Sequence, residues 1–372
     1  MEWTADSKIP EDFFAIPRLV YADDRVWIPE QPVDVAALFH PRHSFFELGQ
    51  AWVDVIPGKA RLAGFIHPDA KVGDEPAAYF GYWEGVDDLA AQFEIFGRFE
   101  AWARSKGVSQ VMGPINFRTH YSYRLRLDHF DTPPFYPGEP YNPAYYLKLM
   151  QALRYEQNGL YHSWFGDAAE IIAATKDALE RVMARAESHG LRFMPLTPQY
   201  WNDNIEALHE DTRAIFGDNP GFSQISLAEF KKLLGSERIA AMDPRCSVIT
   251  LGKDGRMVAF MLCFPDWAPL LNQGASPRFL PGQLRYDEHF RLLKNPLLLG
   301  KTVGVMPAYR RLGLFEIMCY LTAKASLDDY AHVGTVLIRA GGLSASRAGK
   351  VFSLPGCYTH DYGLFGRTLE PV

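Results

Sequence analysis

Two adjacent arginines, Arg310 and Arg311, stand just before Gly313, at a point where the chain changes its hydrophobic period. Val303 and Val305 alternate as in a strand and Pro307 stops it. From Leu314 onward, Leu314, Ile317, Met318 and Leu321 recur at helical spacing. A strand-to-helix turn leaves the first N–H groups of the helix unpaired and pointing one way, where the aligned peptide dipoles add partial positive charge. Two guanidinium groups and a glycine that admits close approach complete the chemistry of an anion seat.

Other titratable groups collect in three places. Asp266 precedes a stretch, residues 268–290, rich in Pro, Gly, Arg and aromatics, in which Tyr286, Asp287, Glu288 and His289 follow one another. These are candidates for a general base or for contacts to a substrate, and a solvated loop has the same composition. Tyr358, His360 and Tyr362 sit in the expected final strand. Successive strand residues face opposite sides, so not all neighbours there can serve one site. Tyr121 lies in residues 114–143, where aromatic rings alternate with Arg124 and Arg126, a composition that suits a planar or anionic substrate and equally a packed loop. His40 and His43 flank Pro41 with no carboxylate cluster after them, so no metal site is expected.

The elements that must position these groups follow from pattern. Leu19, Val20 and Tyr21 offer a short entry strand after Pro17. Residues 51–56 and 60–66 are strands joined through Pro57 and Gly58, and residues 77–83 form an aromatic strand. A helix over 88–106 puts Leu89, Phe93, Phe96, Phe99 and Trp102 on one face and stops at Gly107. The strand 110–112 follows. A second helix, 168–190, presents Ile171, Ile172, Leu179, Val182 and Met183 inward, and strands over 191–195, 246–252, 257–264 and 333–339 come after it. A last helix entered through Ser344 leads to the final strand.

At 372 residues the chain suits two domains, and 48% apolar residues supply their cores. A net charge of -6 argues against general nucleic-acid binding. The longest apolar run, Met257 to Phe264, is too short for a bilayer, and the start lacks the order of a secretory signal, so the expected location is cytoplasmic. Cys246, Cys263, Cys319 and Cys357 are too scattered for a zinc cluster or a disulfide scaffold.

The stretch of Val305, Pro307, Arg310 and Gly313 between strand and helix resembles the GNAT-type N-acyltransferase superfamily, whose turn holds the pyrophosphate of an acyl-coenzyme A. The family's pattern falls on Arg310, Gly313 and Phe315, and Phe315 departs from the small residue usual there. A subgroup with two such domains in tandem is similar over most of residues 13–165, through Tyr79 to Trp83, Trp102, Gly113 to Asn116, Phe130 to Pro134 and Tyr141 to Tyr146. It is similar again through Tyr200 to Asp218, Gly221 to Phe230 and Phe264 to Trp267.

The resemblance implies an α/β fold with mixed sheets and two GNAT-like domains, 1–165 and 166–372. It implies transfer of an acyl group from acyl-CoA or acetyl-CoA to the amine of a small-molecule acceptor, without a metal, membrane or nucleic acid. Val303, Val305, Arg310, Arg311, Gly313 and Leu314 would hold the coenzyme, with strand amides near 302–305 polarising the carbonyl. Tyr286, His289 and Tyr121 would meet the acceptor, and Asp266, Tyr358, His360 or Tyr362 would move protons. The corresponding turn of the first half, Glu84 to Asp88, carries three acids and no arginine, so that half is not expected to hold coenzyme A in the usual way. The tyrosine that protonates the leaving thiolate in many members falls on Phe352, which cannot donate. These departures leave two other readings open: a Fem-like transferase with an aminoacyl-tRNA or acyl-carrier-protein donor, and a degenerate domain that binds without turnover.

Overall fold

The computed structural model describes all residues except 1, 5, 134, 135, 218, 220, 272–278, 371 and 372. Pro134, Asp218 and the middle of the 268–290 stretch, all used above, therefore lie outside the described residues. The strands are β1 (Gln50–Ile56), β2 (Ala60–Val72), β3 (Glu75–Gly85), β4 (Gln110–Gly113), β5 (Leu125–Arg126), β6 (Glu156–Asp167), β7 (Arg192–Pro195), β8 (Val248–Leu251), β9 (Met257–Pro265), β10 (Leu297–Val305), β11 (His332–Arg339) and β12 (Tyr358–Thr368). Two compact units divide the chain. The first comprises Met1–Leu160, Asp218–Ser223 and Tyr362–Val372, the second Tyr161–Gly217 and Gln224–Asp361. The expected boundary at 165/166 falls inside β6.

In the first unit the strand order is β1-β2-β3-β4-β12. The hairpin β1–β2 is antiparallel with Ile56 opposite Ala60, turning through Gly58 at φ 69°, as Pro57 and Gly58 predicted. β3 and β4 are parallel, and Phe365 to Thr368 of β12 close the far edge of β4. The connection between β3 and β4 contains the helix Leu89–Ser105, capped by Asp88, whose carboxylate accepts from the Ala91 N–H at 3.1 Å. Its buried face is Ile95, Phe96, Phe99, Trp102 and Ala103, whereas Leu89 and Phe93 are exposed, contrary to the expected stripe. Leu89 and Phe93 sit one turn apart on the rim of that arc, off the face that Ala91, Gln92 and Phe99 bury.

The entry segment is a helix, Glu11–Val20, not the expected strand. Phe13, Ile16 and Pro17 form its buried side and Leu19 is exposed. Pro17 has no N–H to give the Phe13 carbonyl. The Arg61 guanidinium donates to that carbonyl instead, at 3.1 Å, and also pairs with both oxygens of Glu30. The proline is thereby tolerated within the helix.

In the second unit the order is β6-β11-β10-β9-β8-β7. β10 and β11 are parallel, the other neighbours antiparallel. The helices Ala168–Ser188, Leu314–Ser326 and Leu343–Val351 contribute to its core through Ile171, Leu314, Phe315, Ile317, Met318 and Ala348. Val182, expected inside, is 36% exposed. The last of these helices is capped at Gly342 without a side-chain bond, so Ser344 lies within its first turn and does not cap it. Among the described residues no helix is long and apolar enough to cross a membrane.

Gly64 of β2 lies directly beneath the Leu89–Ser105 helix. A Cβ there would come within 2.7 Å of Trp102 and 2.8 Å of Phe99. Gly64→Ala is expected to destabilise the protein by about 1–3 kcal/mol through overpacking, read as a lower urea midpoint at unchanged slope.

Candidate functional site

Two parallel strands that part within a sheet leave backbone groups without a ladder. β10 and β11 do this in the second unit. They pair from Leu297 opposite His332 to Gly300 opposite Thr335, and no further. A bulge between Gly300 and Thr302 marks the divergence on β10, whose residues from Thr302 to Val305 pair, among the described residues, with β9 alone. On β11 the register with β6 shifts between Thr335 and Ile338. Leu337 sits in that irregularity at φ 59°, a left-handed conformation that costs a non-glycine residue about 1–3 kcal/mol, with its N–H bonded to Ser163 Oγ at 3.0 Å. Val303 and Val305 therefore stand beside an opening.

The same strand leads into the predicted turn. Gly313 precedes the helix Leu314–Ser326 at φ 76° and has no side chain to cap it. Among the described residues the N–H groups of Leu314, Phe315 and Glu316 have no backbone acceptor outside the helix, and the first bond at this end runs from Ile317 to the Gly313 carbonyl at 3.1 Å. A Cβ at Gly313 would lie 2.9 Å from Val182. Glu316 is an acid in the first turn, and Arg347 neutralises it at 2.5 Å. Arg311 is exposed. The Arg310 guanidinium reaches the end of the helix Ile205–Phe216, donating to the Ile215 carbonyl at 2.8 Å. Phe315 is 4% exposed and packs in the core, so its ring does not stand in the turn. Phe352 is likewise buried.

The first unit treats its equivalent strands differently. β3 and β4 pair from Ala77 opposite Gln110 to Tyr79 opposite Met112, and beyond that the chain itself fills the gap. Ile115 N–H donates to the Phe80 carbonyl at 2.7 Å, and Asn116 Oδ1 accepts from Tyr82 N–H at 2.7 Å. A Cβ on Gly81 would lie 2.5 Å from the Ile115 carbonyl oxygen. At the turn, Asp88 caps the helix while Gln92 accepts from the Trp83 indole and donates to the Val86 carbonyl.

Glu84, at the end of β3, accepts from Tyr21 at 3.1 Å and Tyr146 at 2.5 Å through the same oxygen. Desolvation pushes its carboxyl up to about 7, although Arg61 and the two phenol donors pull the other way. Tyr21 and Tyr146 are raised well above the ordinary phenol value, first by burial and then by Glu84.

The remaining predicted residues disperse. Asp266 bonds through its N–H to the Leu297 carbonyl and caps a short helix at Ala268. It thus stands at the opposite end of β10 from Val305, about 26 Å away at strand rise. Tyr286 meets Arg245 at 2.5 Å, and Arg245 also binds Asp329, beyond the C-terminal end of the Leu314–Ser326 helix. Burial and then Asp243 push the Tyr286 phenol up. His289 accepts from the Arg285 N–H at 3.0 Å and packs on Phe279. Tyr121 lies in the first unit, 3.1 Å from His43. Tyr358 stacks on Phe165, and His360 is fully buried against the same ring. Tyr362 is buried in the first unit and donates to Glu139, which also faces Arg126. The structure thus brings Val303, Val305, Arg310, Arg311, Gly313 and Leu314 together and gathers none of the others at the turn.

One pair went unread in the sequence. His162 of β6 and Asp361 of β12 meet at 2.6 Å, Nδ1 to Oδ1, both in the second unit and both partly exposed. They are 199 positions apart, so no spacing signal could have joined them. Among the described residues no group of three or more His, Cys, Asp or Glu is placed to hold a metal.

No protein-family model matches the chain. It is similar to Protein YghO of Escherichia coli (strain K12), 23% identical over 261 residues, which is 68% of this chain and 65% of that protein. It is also similar to a bacterial ceramide synthase of Caulobacter vibrioides, 23% identical over 239 residues, 60% of this chain and 59% of that one. The chain thus spans less than two thirds of the length of these curated relatives. Among solved structures, a probable N-acyltransferase of unknown function from Enterococcus faecalis V583 superposes with a TM-score of 0.51 over 97% of this chain and 70% of that one, at 9% identity. A tandem GNAT protein from the clavulanic acid biosynthesis pathway gives 0.50 over 97% and 96%, at 10% identity. The fold is that of tandem GNAT proteins.

Glu84 carries a pH signature. Its folded value lies above the ordinary 4.5, so the native state holds a proton that the unfolded chain has released between 4.5 and about 7. The contribution of Glu84 to stability is therefore expected to be full below that window and to fall by about 2 kcal/mol as pH rises through it, after allowance for partial solvent contact. Glu84→Gln, which keeps an acceptor for both phenols, should remove this slope in denaturant titrations between pH 4.5 and 8.

Proposed function

We propose that the protein is an N-acyltransferase whose second unit binds an acyl-coenzyme A thioester and passes the acyl group to an amine. The observation that carries this reading is the opening between β10 and β11 together with the uncapped turn that β10 leads to. A thioester with a diphosphate tail has two demands: amides to pair with its pantetheine amides, and positive potential for its phosphates. Thr302 to Val305 offer the first, on the stretch of β10 whose ladder among the described residues is to β9 alone. The N–H groups of Leu314 to Glu316, with Arg311 and Arg310 beside them, offer the second. The donor set fits the group: Gly313 brings no capping side chain to the turn, Glu316 is already neutralised, and the Phe315 ring is turned into the core.

The coenzyme supplies an activated acyl carbonyl and a leaving thiol. The chain's own residues bind, orient and handle protons. Strand amides near Thr302 to Val305 are the donors for a developing oxyanion. In the first unit, Ile115 and Asn116 use up the bonds that such a ligand would need, which supports a single transferase centre in the second unit.

The acceptor is an amine of a small molecule. Similarity to a bacterial ceramide synthase favours amines with a long apolar tail, since a ceramide is an amide of such an amine.

Calorimetric titration with coenzyme A, acetyl-CoA and long-chain acyl-CoA is expected to show binding that Arg311→Glu weakens at least about tenfold, the scale of one charge-assisted contact. Thiol release should appear with one member of an amine panel that includes long-chain amino alcohols. Binding with no thiol release would make the protein a degenerate binding domain. No binding at all would point to an acyl-carrier-protein or aminoacyl-tRNA donor.

A further inference from the structure

Transfer of an acyl group to an amine needs a group to take the proton of the attacking nitrogen. Tyr358 and His360 lie against Phe165, which pairs with Gly334 in the part of β11 still bonded to β10. His162 lies three residues earlier on β6 and pairs with Ile338, beyond the point where β11 leaves β10 and next to the left-handed Leu337. The imidazole is therefore one strand away from the wall of the opening. Its Nδ1 is committed to Asp361 at 2.6 Å, and its ring packs on Trp164, which fixes its plane. A carboxylate on Nδ1 selects the tautomer with hydrogen there and leaves a lone pair on Nε2. Among the described residues Nε2 has no hydrogen-bond partner, and the side chains of His162 and Asp361 retain 22% and 33% exposure.

We propose that His162 and Asp361 form the proton-accepting dyad of the second unit, with His162 Nε2 taking the proton of the acceptor amine and Asp361 holding the tautomer. This rests on the acyl-transfer reading. An ammonium first loses one proton to solvent. As the neutral nitrogen attacks the thioester carbonyl, its N–H proton passes to His162 Nε2, the N–C bond forms, and the C–S bond breaks with its electron pair on sulfur. The imidazolium then returns the proton to sulfur, so amine plus thioester give amide plus thiol. Asp361 stabilises the transient imidazolium.

The test compares wild type, His162→Ala and Asp361→Asn in the full chain, with thermal unfolding as a check on folding. His162→Ala is expected to lower kcat about 10²–10⁴-fold with acyl-CoA affinity by calorimetry unchanged, and added imidazole should restore part of the rate. Asp361→Asn should cost about tenfold or more. A readout free of turnover is the ¹⁵N spectrum of His162: protonation at Nδ1 in wild type, lost or redistributed in Asp361→Asn. Wild-type turnover with full activity in folded His162→Ala overturns the dyad and leaves the transferase reading intact. If His162→Ala does not fold, an unchanged rate and tautomer in Asp361→Asn overturns it equally. Absence of thiol release by wild type with every donor and amine overturns the transferase reading and the dyad together.

Discussion

A backbone that leaves its ladder must find partners elsewhere, and both units are built around this demand. Each contains a parallel strand pair that separates partway along, β3 with β4 and β10 with β11. A buried N–H or C=O without a partner costs on the order of 1–3 kcal/mol. The first unit meets the demand internally through Ile115 and Asn116, with Gly81 admitting the Ile115 carbonyl. In the second, among the described residues, no strand continues the ladder of β10 past Gly300 on its β11 side. That difference, rather than the difference in charge between the two turns, is what sets the units apart.

The turns then follow suit. In the first, Asp88 and Gln92 satisfy the ends that an anion would otherwise occupy, and Lys59 balances Asp88 at 2.7 Å. In the second, a glycine stands where a capping side chain would be, and the nearest acid is held by Arg347. The strain at Leu337 belongs to the same picture. A left-handed leucine persists because the ladder around it is broken in a fixed way, and its N–H is answered by Ser163.

Much of this was legible in the residues. The period change at Val305 to Leu314 and the glycine before the helix gave the turn, and the hairpin at Gly58 followed from turn chemistry. Other features depended on contacts that no local pattern encodes. The entry helix was hidden because Pro17 reads as a breaker, and only the distant Arg61 makes it tolerable. Leu89 and Phe93 have the spacing of a core stripe, yet the face that is buried turns through Ala91, Gln92 and Phe99 and leaves them outside it. Arg310 reads as an anion ligand, although its guanidinium also ties down the helix Ile205–Phe216, a segment nearly a hundred residues earlier. The His162 and Asp361 pair is assembled by strand order alone.

The composition of the first unit has a kinetic side. Its β4, finished at Gly113, takes its far neighbour from Phe365 to Thr368 of β12, residues made long after it. At a synthesis rate of about 5–20 residues per second, that edge waits on the order of 10–50 s for its partner. During that wait it is an unpaired strand in a half-built body, open to any extended chain nearby. The free side of β4 is thus a hazard of assembly that the finished fold removes.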